Sequence, residues 1–253
     1  MYFKKFPIIE YSFGTSEANV LFSNISAYVD IVDQVKTEVS FYEKYNILDG
    51  DRPDTVSQKL YGRPDYHWTF WAMNDHIRES GWPMPEAELR EVAKTRYPHR
   101  TVTTETPFAT LNFKPGVNVV GKTSGTTGRV ISRNLDLGQI VIASDKNEAG
   151  LNNNFGSSEQ IAAGDTAESQ NANIVTAIKE SVQYDAVLYY KNSSGTIVDI
   201  DPHDQTSAAS LTPVTVLEDM VDYNDRLKSI SVIKPSQVHK VVNEYFKLLQ
   251  TNV

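Results

Sequence analysis

The chain has 253 residues, 40% hydrophobic and 22% charged, the composition of a folded protein rather than a disordered one. Its formal net charge of -8 offers no general attraction to nucleic-acid phosphates. The absence of cysteine excludes disulfides, thiolate metal sites and cysteine nucleophiles, and fits a reducing compartment.

The segment Met1–Pro7 carries two lysines, but Glu10, Ser12 and Gly14 interrupt any apolar run behind them, so no secretory leader is predicted. No stretch approaches the ~18 apolar residues of a membrane span, and a soluble protein is expected, with neither membrane nor nucleic acid as partner. Residues 1–44 read as an extended N-terminal arm in which Phe3, Phe6, Ile8, Tyr11 and Phe13 crowd around Pro7 and Gly14. Such an arm must lie on its own fold or on a partner. Phe3, Phe6, Tyr11 and Phe13 are therefore candidate interface residues.

Residues 45–98 carry the sharpest signals. Tyr45-Asn46-Ile47-Leu48 is a strand closed by the turn Asp49-Gly50-Asp51. Pro53 suits a first helical turn, Val56, Leu60 and Tyr61 share a face, and Gly62 supplies a stop. A second helix over residues 65–75 places Trp68, Trp71 and Ala72 on one side, and Trp82-Pro83-Met84 reads as a short returning strand or an extended turn. The unit is strand, helix, helix, strand, with Leu60, Trp68, Trp71 and Trp82 as its expected core. A further helix runs from Pro85 to Tyr97, with Leu89, Val92 and Ala93 on one side.

Residues 101–165 are rich in Thr, Ser, Gly, Asn and Val, with short runs such as Val117–Val120, Arg129–Ser132 and Gln139–Ile142 between glycines. They predict an inserted small all-β module, most simply a barrel or curled sheet, and deleting residues 105–165 is expected to leave the remainder folded. In the C-terminal region, 171–253, Asn171–Gln183 reads as a helix, and residues 186–200 as a β-hairpin. Ser229–Ile233 is a strand, and a last helix starting at Pro235 carries Val238, Val241, Val242, Tyr245, Phe246 and Leu249 as an apolar stripe. This chain or a neighbour must cover that stripe, which makes Tyr245 and Phe246 further interface candidates. The fold class is α+β.

Three patterns invite a chemical reading. Gly116-x4-Gly121-Lys122-Thr123 matches a phosphate-binding loop, but its β-branched interior favours a strand, and Ser124-Gly125-Thr126-Thr127-Gly128 cannot start a stable helix. The run Thr123–Gly128 also resembles the phosphate loop of adenylate-forming enzymes, yet Arg129 and Val130 stand where a proline and a lysine follow there. Asp199, Asp201, His203 and Asp204 fail the EF-hand pattern, since Asp204 and Ser210 occupy the positions that need Gly and an acid. His67, His76, His99, His203 and His239 show no metal spacing. No catalytic, cofactor or metal residues are assigned, and no enzyme is expected.

The run Tyr45-Asn-Ile-Leu-Asp-Gly50-Asp51-Arg52-Pro53-Asp54, continuing through Leu60-Tyr61-Gly62 and Trp68-Thr-Phe70-Trp71-Ala-Met-Asn74-Asp75 to Gly81-Trp82-Pro83-Met84, resembles the T-even-like phage baseplate wedge subunit family, the product of gene fifty-three. The opening Phe6–Tyr11 and the stretch Leu227–Ile233 with its following helix are also similar to that family, while the β insert lies outside the likeness. The resemblance implies a structural subunit of the virion tail baseplate, assembled in the host cytoplasm. It would bridge wedge proteins to one another and to a second wedge bearing another copy. It also implies a core similar to LysM, the peptidoglycan-binding βααβ module, whose signature would fall on Gly50, Asp51 and Asn74. A LysM-type peptidoglycan-binding module is the alternative function; a nucleotide enzyme built on residues 116–123 is the weakest.

Overall fold

The computed structural model describes residues 6–12, 19–24, 38, 40–105, 107–143, 154–164, 174–200 and 209–251. The fold is α+β and divides into two compact units, one made of residues 1–86 and 223–253, the other of residues 87–222. Among the described residues no helix is long and apolar enough to cross a membrane.

In the discontinuous unit, β1 (Ile8–Ser12) and β2 (Asn19–Ser23) form an antiparallel hairpin pairing Ile8 with Ser23 and Ser12 with Asn19. After it come β3 (Tyr42–Asn46), α1 (Pro53–Tyr61), a 3-10 turn over Pro64–Tyr66, α2 (Trp68–Met73) and α3 (Asp75–Ser80). The expected second helix is thus broken at Asn74, whose extended backbone (φ -135, ψ 99) separates α2 from α3. Of the two readings of residues 82–84, the strand does not form and the segment is irregular. The partner of β3 is instead β13 (Ser229–Ile233), antiparallel in the register Ser229–Asn46 to Ile233–Tyr42. Three helices of this unit, α1 to α3, and the whole of the other unit separate β3 from β13 in the chain, so the expected contiguous strand, helix, helix, strand order is not found. The reason is burial: Ile230 and Val232 are fully buried and Ile233 nearly so, which Trp82-Pro83-Met84 cannot match with a proline between two side chains.

The C-terminal helix α6 (Val238–Thr251) closes this unit. Val238, Val242, Tyr245, Phe246 and Leu249 are buried in one core with Ile47, Val56, Phe70, Ile77 and Ile230. Its stripe is covered by its own chain, so Tyr245 and Phe246 are core residues and not interface residues.

In the other unit, α4 (Glu86–Arg96) leads into β4 (Arg100–Thr104), β5 (Asn118–Gly121), β6 (Thr127–Asn134), β7 (Gln139–Ile142), β8 (Gln160–Ala163) and β9 (Ile174–Val182). They close a barrel in the order β4-β7-β6-β5-β8-β9. Here the helix expected over 171–183 is corrected to a strand, β9, which hydrogen-bonds to β8 on one side and β4 on the other. Val175 and Ala177 point inward at alternate positions, and two ladders outweigh the weak helical spacing of Ile174, Val175 and Ile178. The β module is therefore larger than residues 101–165, because β9 supplies its closing strand. Inside lie Val102, Phe113, Val119, Val130, Ile140, Ile142, Phe155 and Ile161. Gly128 is required here, since a Cβ at that position would sit 2.3 Å from the Ile142 Cγ2.

Beyond the barrel, β10 (Val187–Lys191) pairs with β11 (Ile197–Val198) as the expected hairpin and with β12 (Thr212–Thr215) on its other edge. The helix α5 (Val216–Leu227) follows, and sequence reading did not anticipate it. Its start is a capping box: the Glu218 amide donates to Thr215 Oγ1 at 3.2 Å and the Thr215 amide donates to Glu218 Oε2 at 2.7 Å.

Candidate functional site

The break at Asn74 builds the most distinctive polar arrangement of the discontinuous unit. The Asn74 amide nitrogen donates to the carbonyls of Phe70 and Ser231, each at 2.8 Å, and its oxygen accepts the Ser231 amide at 2.7 Å. One side chain thereby satisfies both backbone groups of Ser231 on the edge of β13 that faces away from β3, replacing a third strand. Asn74 is only 5% exposed, as a group with three such bonds can be.

Around this junction Tyr42, Lys44, Met73, Asp75, His76 and Ser231 line a groove of about 330 Å³. Lys44 Nζ donates to Ser231 Oγ across the β3–β13 pair at 3.0 Å. Asp75 and His76 stand exposed at its rim, so the groove offers charges of both signs together with hydrogen-bonding groups.

A second device of the same kind fixes the segment that fails to become a strand. Asn224, also buried, accepts the Met84 amide at 2.8 Å through its oxygen and donates to the Met84 carbonyl at 2.9 Å. Trp82 Nε1 donates to the Asp51 carbonyl at 2.7 Å, and the Glu86 amide donates to Asp49 Oδ1 at 3.1 Å. The 82–86 segment is thus held by side chains and a turn carbonyl rather than by a ladder. Asp51 Oδ1 also takes Lys59 Nζ at 2.6 Å, and the Tyr45 hydroxyl beside it is pushed up by burial and by the Asp51 charge.

Leu60, Trp68, Trp71 and Trp82 are half-buried and pack against the core from its rim; Phe70, Val56 and Ile77 occupy its centre. Trp68 lies against Tyr245 with centroids 4.8 Å apart, and Trp71 against Trp82 at 5.6 Å. Among the residues expected at an interface, Phe6 is buried in this same core, Tyr11 is 54% exposed, and Phe3 and Phe13 lie outside the described residues. Of the acidic run near 200, Asp199 is described, and Asp201, His203 and Asp204 lie outside the described residues. Among the described residues no group of three or more His, Asp or Glu side chains is placed to hold a metal.

The phosphate-loop pattern falls on a strand and turn. Asn118–Gly121 is β5, and residues 122–126 turn into β6 with no helix after Lys122. The amides there already have a partner, because Thr123 and Ser124 donate to Glu159 Oε1 at 2.9 and 2.6 Å. At the same end of the barrel Glu180 pairs with Arg100 at 3.1 Å and accepts the Phe155 amide at 2.5 Å. Burial pushes the Glu180 carboxyl up, against the pull of Arg100. The chain matches no protein-family model and no curated protein.

Proposed function

We propose that this chain is a structural subunit of a contractile phage tail baseplate, a wedge component that bridges neighbouring proteins, with a LysM-like βααβ unit as its scaffold. The carrying observation is the β1–β2 hairpin. Ile8 and Leu21 are each 66% exposed, Tyr11 is 54% exposed, and of its ten residues Ile9 alone is even half-buried. A two-stranded hairpin is marginal by itself in water, and an apolar one is a natural element for a partner protein to cover. The sequence resemblance to a LysM module rests on Gly50, Asp51 and Asn74, and in this unit they lie in the turn before α1 and at the junction after α2, which supports the reading.

The test is immunogold labelling of intact contractile-tailed particles that carry this chain, viewed by negative-stain microscopy. A ring of label at the distal end of the tail supports the reading. Particles that stay unlabelled even after contraction or mild disruption overturn it.

One observation favours the second reading, a peptidoglycan-binding module. Trp68, Trp71 and Trp82 are half-buried rather than sealed in the core, and aromatic surfaces of this kind stack on sugars. Co-sedimentation with purified peptidoglycan, lost on Trp71→Ala in a variant that remains folded, would move the assignment there.

A further inference from the structure

We propose that residues 121–125, together with Gly156, form a backbone anion-binding nest whose resident ligand is the chain's own Glu159 carboxylate, and that this side chain closes the nest to external oxyanions. Three amides converge on the carboxylate: Ser124 at 2.6 Å and Thr123 at 2.9 Å on Oε1, and Gly156 at 2.7 Å on Oε2. Successive main-chain amides turned toward one point are the geometry that binds phosphate and carboxylate alike. Both distances at or below 2.7 Å are those of charge-assisted bonds.

The approach is close enough to dictate sequence. A Cβ on residue 121 would lie 2.5 Å from Glu159 Oε1 and 2.9 Å from its Cδ, so Gly121 is the residue that admits the carboxylate. Glu159 is held from behind as well, since the Ala177 amide donates to its carbonyl at 2.9 Å and the Ser158 amide to the Ala177 carbonyl at 2.7 Å. With only 5% of Glu159 exposed, the anion arrives as part of the fold. Burial alone would push its carboxyl up; the amides of Ser124, Gly156 and Thr123 and the Ser124 hydroxyl prevail and hold it below the usual range. The Gly-Lys-Thr-Ser-Gly run therefore resembles a phosphate loop for a physical reason. Its amides bind an oxyanion, and the ligand is internal.

The experiment is chemical rescue in the full chain. Glu159→Ala is compared with wild type by thermal melting at constant ionic strength, in chloride and with formate, acetate or phosphate titrated in. The expected result is a melting temperature lowered by roughly 10 °C for the barrel transition in chloride. It should recover saturably with the small oxyanions in the variant and stay unchanged in wild type. An unaltered melting temperature, no anion-specific recovery, or equal recovery in both proteins overturns the proposal. Should Glu159→Ala fail to fold, wild type decides by amide-resolved NMR over an acid titration. The Thr123, Ser124 and Gly156 amide protons should shift together, at a pH below the ordinary glutamate range. Glu180, paired with Arg100, is an acid that senses Glu159; its titration is followed separately at the Phe155 amide that it accepts. Thr123, Ser124 and Gly156 amides that do not move in that window overturn the proposal.

Discussion

The two units solve the same problem, burying a small core, in opposite ways. The barrel is written almost contiguously: every strand from β4 to β9 pairs with two others, and no edge is left open. Among the described residues, the core sheet of the discontinuous unit pairs two strands, β3 and β13, which come from distant parts of the chain. What it lacks in strands it replaces with side-chain amides. Asn74 completes the edge of β13 at Ser231, and Asn224 completes the segment at Met84. Backbone groups near a core must be satisfied, and a sheet too small to do so recruits asparagine, the side chain that carries both a donor and an acceptor.

Deletions separate the two units most severely. Removing residues 105–165 takes out β5 to β8 and leaves β4 and β9 alone, so the barrel transition should vanish from calorimetry, contrary to the expectation from sequence. Replacing residues 87–222 by a short flexible linker should instead leave the discontinuous unit with one cooperative transition; loss of that transition would show that the barrel is needed for its folding. Next in size is Phe70→Ala, which empties a fully buried aromatic site and should cost the discontinuous unit about 3–5 kcal/mol in denaturant melts. Trp71→Ala, at the rim, should cost clearly less, and equal losses would mean that the rim and the centre are not distinct. Asn74→Ala should cost about 1–3 kcal/mol for each backbone group stripped of its partner, chiefly the Ser231 amide and carbonyl. Asn224→Ala should follow at a smaller loss, because Asn224 bonds two backbone groups, the Met84 amide and carbonyl, and Asn74 bonds three.

The mildest probe is pH. The carboxyl of Glu159 is held low in the folded barrel, so the unfolded chain binds more protons through the window between its depressed and ordinary values. Its contribution is fully present above the ordinary glutamate pKa and is lost as pH falls through the folded value. Glu180 runs the other way: its raised carboxyl contributes stability below the ordinary value, and this is lost as pH rises through the folded one. Barrel stability measured against pH in wild type and Glu159→Gln should therefore differ in slope on the acid side, the variant being flatter. Parallel curves would remove Glu159 from the account.

How much could be read in advance follows the same division. The helix at Pro53, the hairpin at 186–200 and the alternating runs of β5 to β7 are local patterns, and each appears in the structure. What misled was long-range. Ile174, Val175 and Ile178 fit a helix until β4 and β8 lie on either side, and Trp82-Pro83-Met84 fits a strand until Ile230, Ser231 and Val232 take its place. The helix α5 was legible, because Thr215-x-x-Glu218 is a capping signature standing directly before Val216. The polar junction was half legible: Asn74 stands out in the motif, but nothing near it in sequence points to Ser231. Glu159 was invisible for the same reason, since its partners at 123 and 124 belong to another strand turn.

The bond pair between Met84 and Asn224 has a mechanical consequence. It ties the chain together just before the barrel unit begins and just after it ends. Tension applied between the two ends of the protein therefore has a shortcut from residue 84 to residue 224. While that shortcut holds, load runs through the discontinuous unit, and the barrel hangs as a side branch that bears no force. Only when these bonds and the Ser80–Tyr223 hydroxyl contact have given way does the barrel become a link in the chain.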